Sequence, residues 1–234
     1  MAPLGVTDGL LARADIAPSA DLRLGGRKAR VRLADLALPD TAFPHLSLIR
    51  QADVEAVLGQ ALADRGIGVE RGTELIGLHE EQDGVLADLR SGGVQSEAFA
   101  DVLCGCDGPA SIVRSEAGIG WPGRPYPVEI GLADADLAGD LPDEGAQVIA
   151  GRNGLVFAFQ LGEHAPWRLL VTRRAGADHV PFGQLGPAIP VAELQSLLDE
   201  AHAGIDIERL AWSARVRVQH RVARRFRRGR LYLV

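Results

Sequence analysis

Apolar residues between positions 52 and 65 recur at the spacing of a helix that packs on a sheet. These positions are Val54, Val57, Leu58, Ala61 and Leu62. Gly66 follows directly, and a glycine in that place commonly ends a helix. The pattern therefore predicts a helix over residues 52–65 that stops at Gly66.

Short β-like runs separated by turn residues lie on both sides of this helix. Alternating residues before Gly25 and Gly26 predict a hairpin. Further strands are predicted at residues 67–70, 74–79, 85–89 and, in an almost wholly apolar run, 102–106. Strand, helix and buried strand in this order indicate an α/β layer with a parallel core.

The pattern changes after residue 121. Strands are predicted at 155–161 and 167–172, and helix signals are few until residues 191–203. The chain then returns to an apolar strand at 231–234. This order predicts that a second, sheet-rich layer is inserted into the first, with segments at 1–120, 121–213 and 214–234.

Composition excludes several classes of function. The 234 residues carry a net charge of -6, from 25 basic and 31 acidic side chains, so the chain repels nucleic acids. No apolar run approaches the roughly 18 to 20 residues needed to cross a bilayer, and no membrane partner is expected. The first residues lack the pattern of a secretory signal, so we expect a cytoplasmic protein.

The polar residues offer no metal site and no hydrolase motif. Cys104 and Cys106 lie two apart in an apolar run, where a strand would point both side chains to one face. We interpret them as buried, reduced core cysteines, since a zinc site would need more ligands. No histidine occurs at zinc-protease spacing, and no nucleophile elbow or phosphate-binding loop of an NTPase is present.

The most informative segment runs from 102 to 114. A buried strand ends at Asp107 and leads into a helix predicted from Gly108 to about residue 117. The first amides of such a helix are suited to an anion such as phosphate or pyrophosphate. Gly108 would let a ligand approach the backbone, and Asp107 could accept a hydrogen bond from a ribose or ribityl hydroxyl. Ser111 could cap the helix or donate a hydrogen bond, and Arg114 lies on nearly the same side of the helix as Asp107. Alternatively, Asp107 and Ser111 are only helix caps and Arg114 is a surface charge.

This segment resembles the Asp-Gly motif of the class A flavin monooxygenases, the para-hydroxybenzoate hydroxylase family. The shared pattern is Gly-Cys-Asp-Gly-x-x-Ser-x-x-Arg, and its continuation over 115–123 is similar to aromatic and polyketide hydroxylases. Residues 49–58 resemble the family's helix that begins at a flavin-contacting glutamine or arginine, which matches Gln51. Residues 212–234 resemble the approach to the second flavin motif, Gly-Asp-Ala-Ala-His.

The resemblance implies an incomplete Rossmann-like FAD-binding layer with an inserted β-sheet-rich substrate domain. In this family a Gly-x-Gly-x-x-Gly turn would precede Met1, and the second flavin motif would follow Val234. We therefore expect an interior fragment that is inactive alone. Open edges of a parallel sheet would also favour self-association and low solubility.

The implied activity is FAD-dependent, NAD(P)H-using hydroxylation of a small aromatic or polyketide substrate. Gln51 would contact the flavin, Asp107 and Gly108 would line the pyrophosphate or nicotinamide-nucleotide path, and Ser111 and Arg114 would support that turn. The inserted layer would bind substrate, with wall residues Phe157, Phe159 and Trp167. For these three aromatics, ordinary sheet core is the alternative interpretation. No catalytic residue and no metal ligand is assigned.

Two other functions remain open at this point. The chain could be a non-catalytic module, derived from that fold, that binds an aromatic ligand or a partner. It could also belong to another flavin oxidoreductase of the same fold, such as a reductase or a halogenase, because fold does not determine the reaction. Eight arginines over 215–230 are interpreted as a solvated face or as partners of carboxylates.

Overall fold

A computed structural model describes residues 4–17, 19–25, 27–32, 43, 46–142, 145–151, 154–161, 164–174 and 180–234. Within these ranges the helices are α1 (Thr7–Leu11), α2 (Gln51–Ala63), α3 (Ile112–Glu116) and α4 (Val191–Glu200), and a 3-10 helix covers Gly108–Ala110. The strands are β1 (Asp15–Ala17), β2 (Ser19–Leu24), β3 (Arg27–Arg32), β4 (Leu46–Leu48), β5 (Thr73–Glu80), β6 (Val85–Ser91), β7 (Val94–Ala100), β8 (Leu103–Gly105), β9 (Gly123–Gly139), β10 (Ala146–Ala150), β11 (Leu155–Phe159), β12 (Trp167–Arg174), β13 (Ile205–Arg221), β14 (Arg227–Arg228) and β15 (Leu231–Leu233).

The chain forms two compact units that do not follow the predicted segment bounds. The first unit contains Met1–Gly68, Pro127–Val180 and Leu185–Val216, and the second contains Val69–Tyr126, Pro181–Gln184 and Arg217–Val234. The predicted segment 1–120 is therefore divided between the units. The reason is that β2 pairs in parallel with β10, which joins the early hairpin to the sheet of the inserted segment.

A large sheet dominates the first unit. Over the described residues its seven strands lie in the order β13-β9-β12-β11-β10-β2-β3. Strands β9, β12, β11 and β10 form successive antiparallel pairs. One face of these strands packs with α4, and the core there includes the fully buried Leu169, Leu194 and Leu198. Sheet and helix bury one another's apolar face, as a two-layer domain requires.

An ion-pair network joins α4 to this sheet. Glu129 of β9 is only 2% exposed and lies 2.7 Å from the Arg173 guanidinium of β12. Arg173 also pairs with Glu193 of α4, which in turn pairs with Arg215 of β13 at 2.6 Å. The buried Glu129 carboxylate is thus compensated by a cation, as burial of a charge demands.

The second unit is built from two small sheets. Strands β5, β6 and β7 form an antiparallel meander, and β8 lies parallel to β15, which also pairs with β14. Helix α3 packs on these strands, where Val113 and Leu231 are buried in one apolar cluster. The α/β character and the parallel pairing at this sheet confirm the predicted fold class in its main features.

Most predicted elements are present, and two differ. The helix predicted over 52–65 is α2, and Gly66 ends it with a φ of +71°. The helix predicted from Gly108 is divided into a 3-10 turn and α3, because Ser111 adopts a non-helical conformation between them. The strand predicted at 67–70 is wrong, since those residues form no strand pairing and are exposed.

The prediction that both cysteines are buried is also wrong. Cys104 and Cys106 are free and exposed. They do share one side of β8, but α3 packs on the other side, where a side chain at Gly105 would collide with Val113. The alternation of side chains along a strand predicts that the two cysteines share a face, but it does not determine which face is covered.

Truncating a buried side chain of α4 tests the core of the first unit. Leu194→Ala should lower the free energy of unfolding by about 2–5 kcal/mol, because Leu194 is fully buried and leaves a cavity. Val191→Ala on the same helix is the control, since Val191 is 45% exposed and its loss should change stability by less than about 0.5 kcal/mol. Urea unfolding followed by tryptophan fluorescence measures both, and equal effects would contradict this packing.

Candidate functional site

A carboxylate organises the turn between β8 and α3. Asp107 Oδ2 accepts hydrogen bonds from the backbone amides of Ile112 at 2.8 Å and Val113 at 3.3 Å. Ser111 Oγ accepts from the amide of Arg114 at 3.0 Å. The first amides of α3 thus donate their hydrogen bonds to side chains of the same turn. Asp107 and Ser111 therefore cap α3, as the capping interpretation predicted, whereas binding of an anion at this turn stays a prediction.

The Asp107 carboxyl is held in its charged form. Partial burial by itself would raise its pKa, but hydrogen bonds from the Ser111 side chain and from the amides of Val113 and Ile112 outweigh that effect and lower the pKa. Asp107 is therefore ionised at neutral pH and serves the turn as a charged cap.

Positive charge at this turn comes from two arginines that lie over one indole ring. The guanidinium carbon of Arg114 is 4.1 Å from the Trp121 ring centroid, and that of Arg221 is 5.4 Å away. Arg114 donates to the carbonyl of Pro109 at 2.9 Å, and Arg221 donates to the carbonyl of Trp121 at 3.1 Å. The Arg221 Nε is buried and has no hydrogen-bond partner among the described residues. The pair keeps donor capacity that the protein itself does not use.

These groups line one cavity of about 190 Å³. Its polar lining includes Asp107, Gly108, Ser111, Arg114 and Arg221, and its apolar lining includes Trp121, Val222, Ala223, Phe226, Leu233 and Val234. Gly108 has a φ of +68°, and a side chain there would meet no atom within 4 Å. Space and backbone are therefore accessible at Gly108, as expected for a position where a ligand approaches.

Four of the five predicted cofactor residues thus lie together, and the fifth does not line this cavity. Gln51 is the first residue of α2 in the first unit, and its side-chain amide donates to Glu55 at 2.9 Å. Its role as a flavin contact stays a prediction. Trp121 and Arg221 were not assigned from the sequence, although both lie in stretches that resemble the hydroxylases.

The three predicted substrate-wall aromatics lie on different faces of the large sheet. Trp167 is 8% exposed and belongs to the core beneath α4, which agrees with the ordinary core interpretation. Phe157 and Phe159 alternate with the buried Val156 and Ala158 and so point to the opposite, partly buried face. Contact of any of them with a substrate stays a prediction.

The arginine-rich stretch is held mainly by backbone oxygens and rings. Arg215 pairs with Glu193, but Arg228 donates to the carbonyl of Ala117, and Arg230 donates to those of Asp101 and Gln82. Arg217 and Arg227 lie over Phe182 and Tyr232. Both predicted alternatives occur, since Arg215 has a carboxylate partner and several of these arginines are exposed to solvent, and backbone carbonyls and aromatic faces are further partners.

Comparison with known proteins assigns the family. The model of the FAD binding domain family matches residues 1–234. The chain belongs to this family of FAD-binding domains. The match confirms the resemblance to the flavin hydroxylases and FAD as the cofactor of the family.

Several relatives are named as monooxygenases. The chain is 26% identical over 230 residues to 6-methylpretetramide 4-monooxygenase of Streptomyces rimosus, covering 98% of the chain and 40% of that protein. It is 28% identical over 209 residues to pentachlorophenol 4-monooxygenase of Sphingobium chlorophenolicum, covering 86% and 37%. It thus spans less than half the length of these relatives.

A solved structure supports the fold. The p-nitrophenol 4-monooxygenase of Pseudomonas putida superposes with a TM-score of 0.77 at 22% identity, covering 98% of this chain and 57% of that one.

In the part of the chain that the structure describes, no helix is long and apolar enough to cross a membrane. The same residues include no group of three metal-ligating side chains.

Substitution of Asp107 separates its two contributions to the turn. Asp107→Ala should lower the free energy of unfolding by about 1 kcal/mol at pH 7, whereas Asp107→Asn keeps a capping oxygen and should cost less. Folding lowers the pKa of Asp107. The charge of Asp107 therefore stabilises the folded state at pH values above the pKa of the unfolded chain, and this stabilisation is lost as the pH falls through the folded pKa. The difference between wild type and Asp107→Asn should therefore shrink below about pH 4. Thermal unfolding across pH measures this, and a constant difference would argue against a charged cap.

Proposed function

We propose that the protein containing this chain is an FAD-dependent, NAD(P)H-using monooxygenase that hydroxylates a small aromatic or polyketide substrate. The observation that carries the proposal is the family match over the whole chain, together with a cavity whose arginines have unused donors. Because NAD(P)H and FAD are present in the cytoplasm, we propose that the reaction takes place there.

The residues of the cavity fit the diphosphate of the cofactor. Arg114 and Arg221 carry two positive charges, and the buried Nε of Arg221 is an unmet donor that a phosphate oxygen would satisfy. Gly108 leaves open space beside the backbone. Asp107 would not face the anion as a ligand, since its Oδ2 is used within the turn. It would hold Gly108 and Arg114 in place instead.

When bound, FAD supplies the redox chemistry, because it accepts hydride from NAD(P)H and activates dioxygen. The chain's own residues bind the cofactor and orient it. Contact with Trp121 restrains both guanidinium groups, which lowers the entropy they lose on binding an anion. Gln51 is proposed as a flavin contact on its motif alone.

The substrate is proposed to lie against the sheet face that carries Phe157 and Phe159. Both rings are partly buried, and they share their face with Leu170 and Leu132 through the cross-strand register. An apolar surface of this kind would pack against an aromatic ring and keep water from it. Trp167 would support this face from the core behind it.

Titration of the chain with FAD, followed by flavin fluorescence, tests the cofactor site. We expect saturable binding that Arg221→Gln and Arg114→Gln each weaken about tenfold, since each removes a charge-assisted hydrogen bond. Arg225→Gln is the matched control, because Arg225 is exposed in the same arginine-rich stretch and does not line the cavity.

The outcomes separate the possible functions. Absence of saturable binding, or equal weakening by the Arg225 variant, would contradict FAD binding at this cavity. If FAD binds, NADPH oxidation and product formation with phenols test the hydroxylase. Binding of an aromatic ligand without binding of FAD would favour a non-catalytic ligand-binding module.

A further inference from the structure

A fully buried carboxylate lies on the sheet face opposite α4. Asp134 of β9 is 0% exposed, and the register places it directly across from Arg168 of β12, which lies across from Phe159 of β11. Directly opposed residues share a face, so these three side chains form one row. Phe157 lies two residues before Phe159 on the same face. A buried acidic group therefore borders the apolar surface proposed to bind substrate.

Arg168 neutralises this carboxylate with two parallel hydrogen bonds. Its Nε donates to Oδ1 of Asp134 at 2.8 Å and its Nη2 donates to Oδ2 at 2.9 Å. Burial by itself would raise the pKa of Asp134, but the bonds from Arg168 and His164 outweigh it and lower the pKa. Asp134 is thus ionised at neutral pH and can only accept hydrogen bonds.

His164 is oriented by the same carboxylate. Its backbone amide donates to Oδ2 of Asp134 at 3.3 Å, and its ring Nδ1 lies 2.9 Å from the same oxygen. Because an ionised carboxylate cannot donate, the proton of a neutral imidazole must be on Nδ1. The lone pair is then on Nε2, which makes that nitrogen a proton acceptor.

The accepting nitrogen belongs to a ring that solvent can reach. The His164 side chain is 52% exposed and stacks on Trp212, with ring centroids 5.8 Å apart and planes at 20°. Nε2 has no hydrogen-bond partner among the described residues. Charges nearby on the same face are paired, since Asp136 of β9 lies 2.6 Å from Arg209 of β13.

A purely structural role does not account for this arrangement. The ion pair between Asp134 and Arg168 already joins β9 to β12 and satisfies both oxygens. The imidazole adds a base that a buried anion orients at Nδ1 and an indole contacts at its face, and Nε2 has no partner within the described ranges. This is the arrangement by which a carboxylate selects the tautomer of a basic histidine.

We propose that His164 accepts the proton of a phenolic hydroxyl on the substrate, with Asp134 as the positioning residue. The O–H bond of the phenol breaks, its electron pair stays on oxygen, and a bond forms between the proton and Nε2. The products are a phenolate and an imidazolium that Asp134 stabilises. A phenolate is the more electron-rich ring, as electrophilic hydroxylation requires. The inference rests on the proposed function for the identity of the substrate as a phenol.

Binding of 4-nitrophenol tests this step without flavin, because the phenolate form of this compound has its own visible absorption band. The chain is titrated at pH 6, where the free compound is mainly protonated. We expect the ratio of phenolate to phenol in the bound ligand to exceed that of the free ligand by about tenfold, which corresponds to a shift of one unit in its pKa. His164→Gln should return this ratio to the free value.

His79→Gln is the matched control. His79 also faces a carboxylate, with Nε2 at 3.5 Å from Asp88, but its side chain is 73% exposed and it lies in the second unit. This variant should leave the bound phenolate band unchanged. Asp134→Asn should reduce the band while circular dichroism and thermal unfolding report whether the fold is retained.

The outcomes are distinct from those of the FAD titration. A phenolate band that is equal in wild type and His164→Gln, or no bound phenolate at all, overturns the proposal even when FAD binds. A band that depends on His164 supports it even when FAD does not bind. A phenolate band that is unchanged in Asp134→Asn, with this variant folded, would overturn the role of Asp134 as the positioning residue.

Discussion

The hydrogen bonds from the amides of Ile112 and Val113 to Asp107 hold the turn on which the candidate cofactor site depends. They end β8, start α3 after the Gly108–Ala110 turn, and thereby direct Arg114 toward Trp121. A buried or half-buried helix start must satisfy its amides. Here the chain does so with its own carboxylate, so the charge for binding an anion has to come from side chains.

This constraint changes the physical description of the Asp-Gly motif in this protein. In the proposed cofactor site, Asp107 and Ser111 act as a scaffold, and the attraction for a phosphate would come from Arg114 of the motif and from Arg221, more than one hundred residues away along the chain. Two guanidinium groups on one indole repel each other, and the partial burial of both residues strengthens that repulsion. An anion between or beside them would relieve it, which is a reason for the two cations to occur together.

The two faces of the large sheet in the first unit differ, because one is packed under α4 and the other carries the groups proposed to act on substrate. The face under α4 is apolar and densely packed, with Glu129 compensated at its border by Arg173. The opposite face combines partly buried phenylalanines with the ionised Asp134 and the open nitrogen of His164. Burying a carboxylate on that face is costly unless it is paired, and Arg168 provides the pairing. The imidazole is then available for proton transfer.

Local pattern determined much of this protein. Helical spacing identified α2 and α4, Gly66 marked a helix end, and the run from Gly105 to Arg114 placed four residues at one cavity, because these features depend on neighbours in the chain. Tertiary structure decided the rest. It buried Trp167 and exposed Cys104, it joined β2 to β10, and it brought Arg221 to Trp121 and His164 to Asp134. Side-chain alternation states which residues share a face, but only packing between distant segments decides which face is covered and which charges meet.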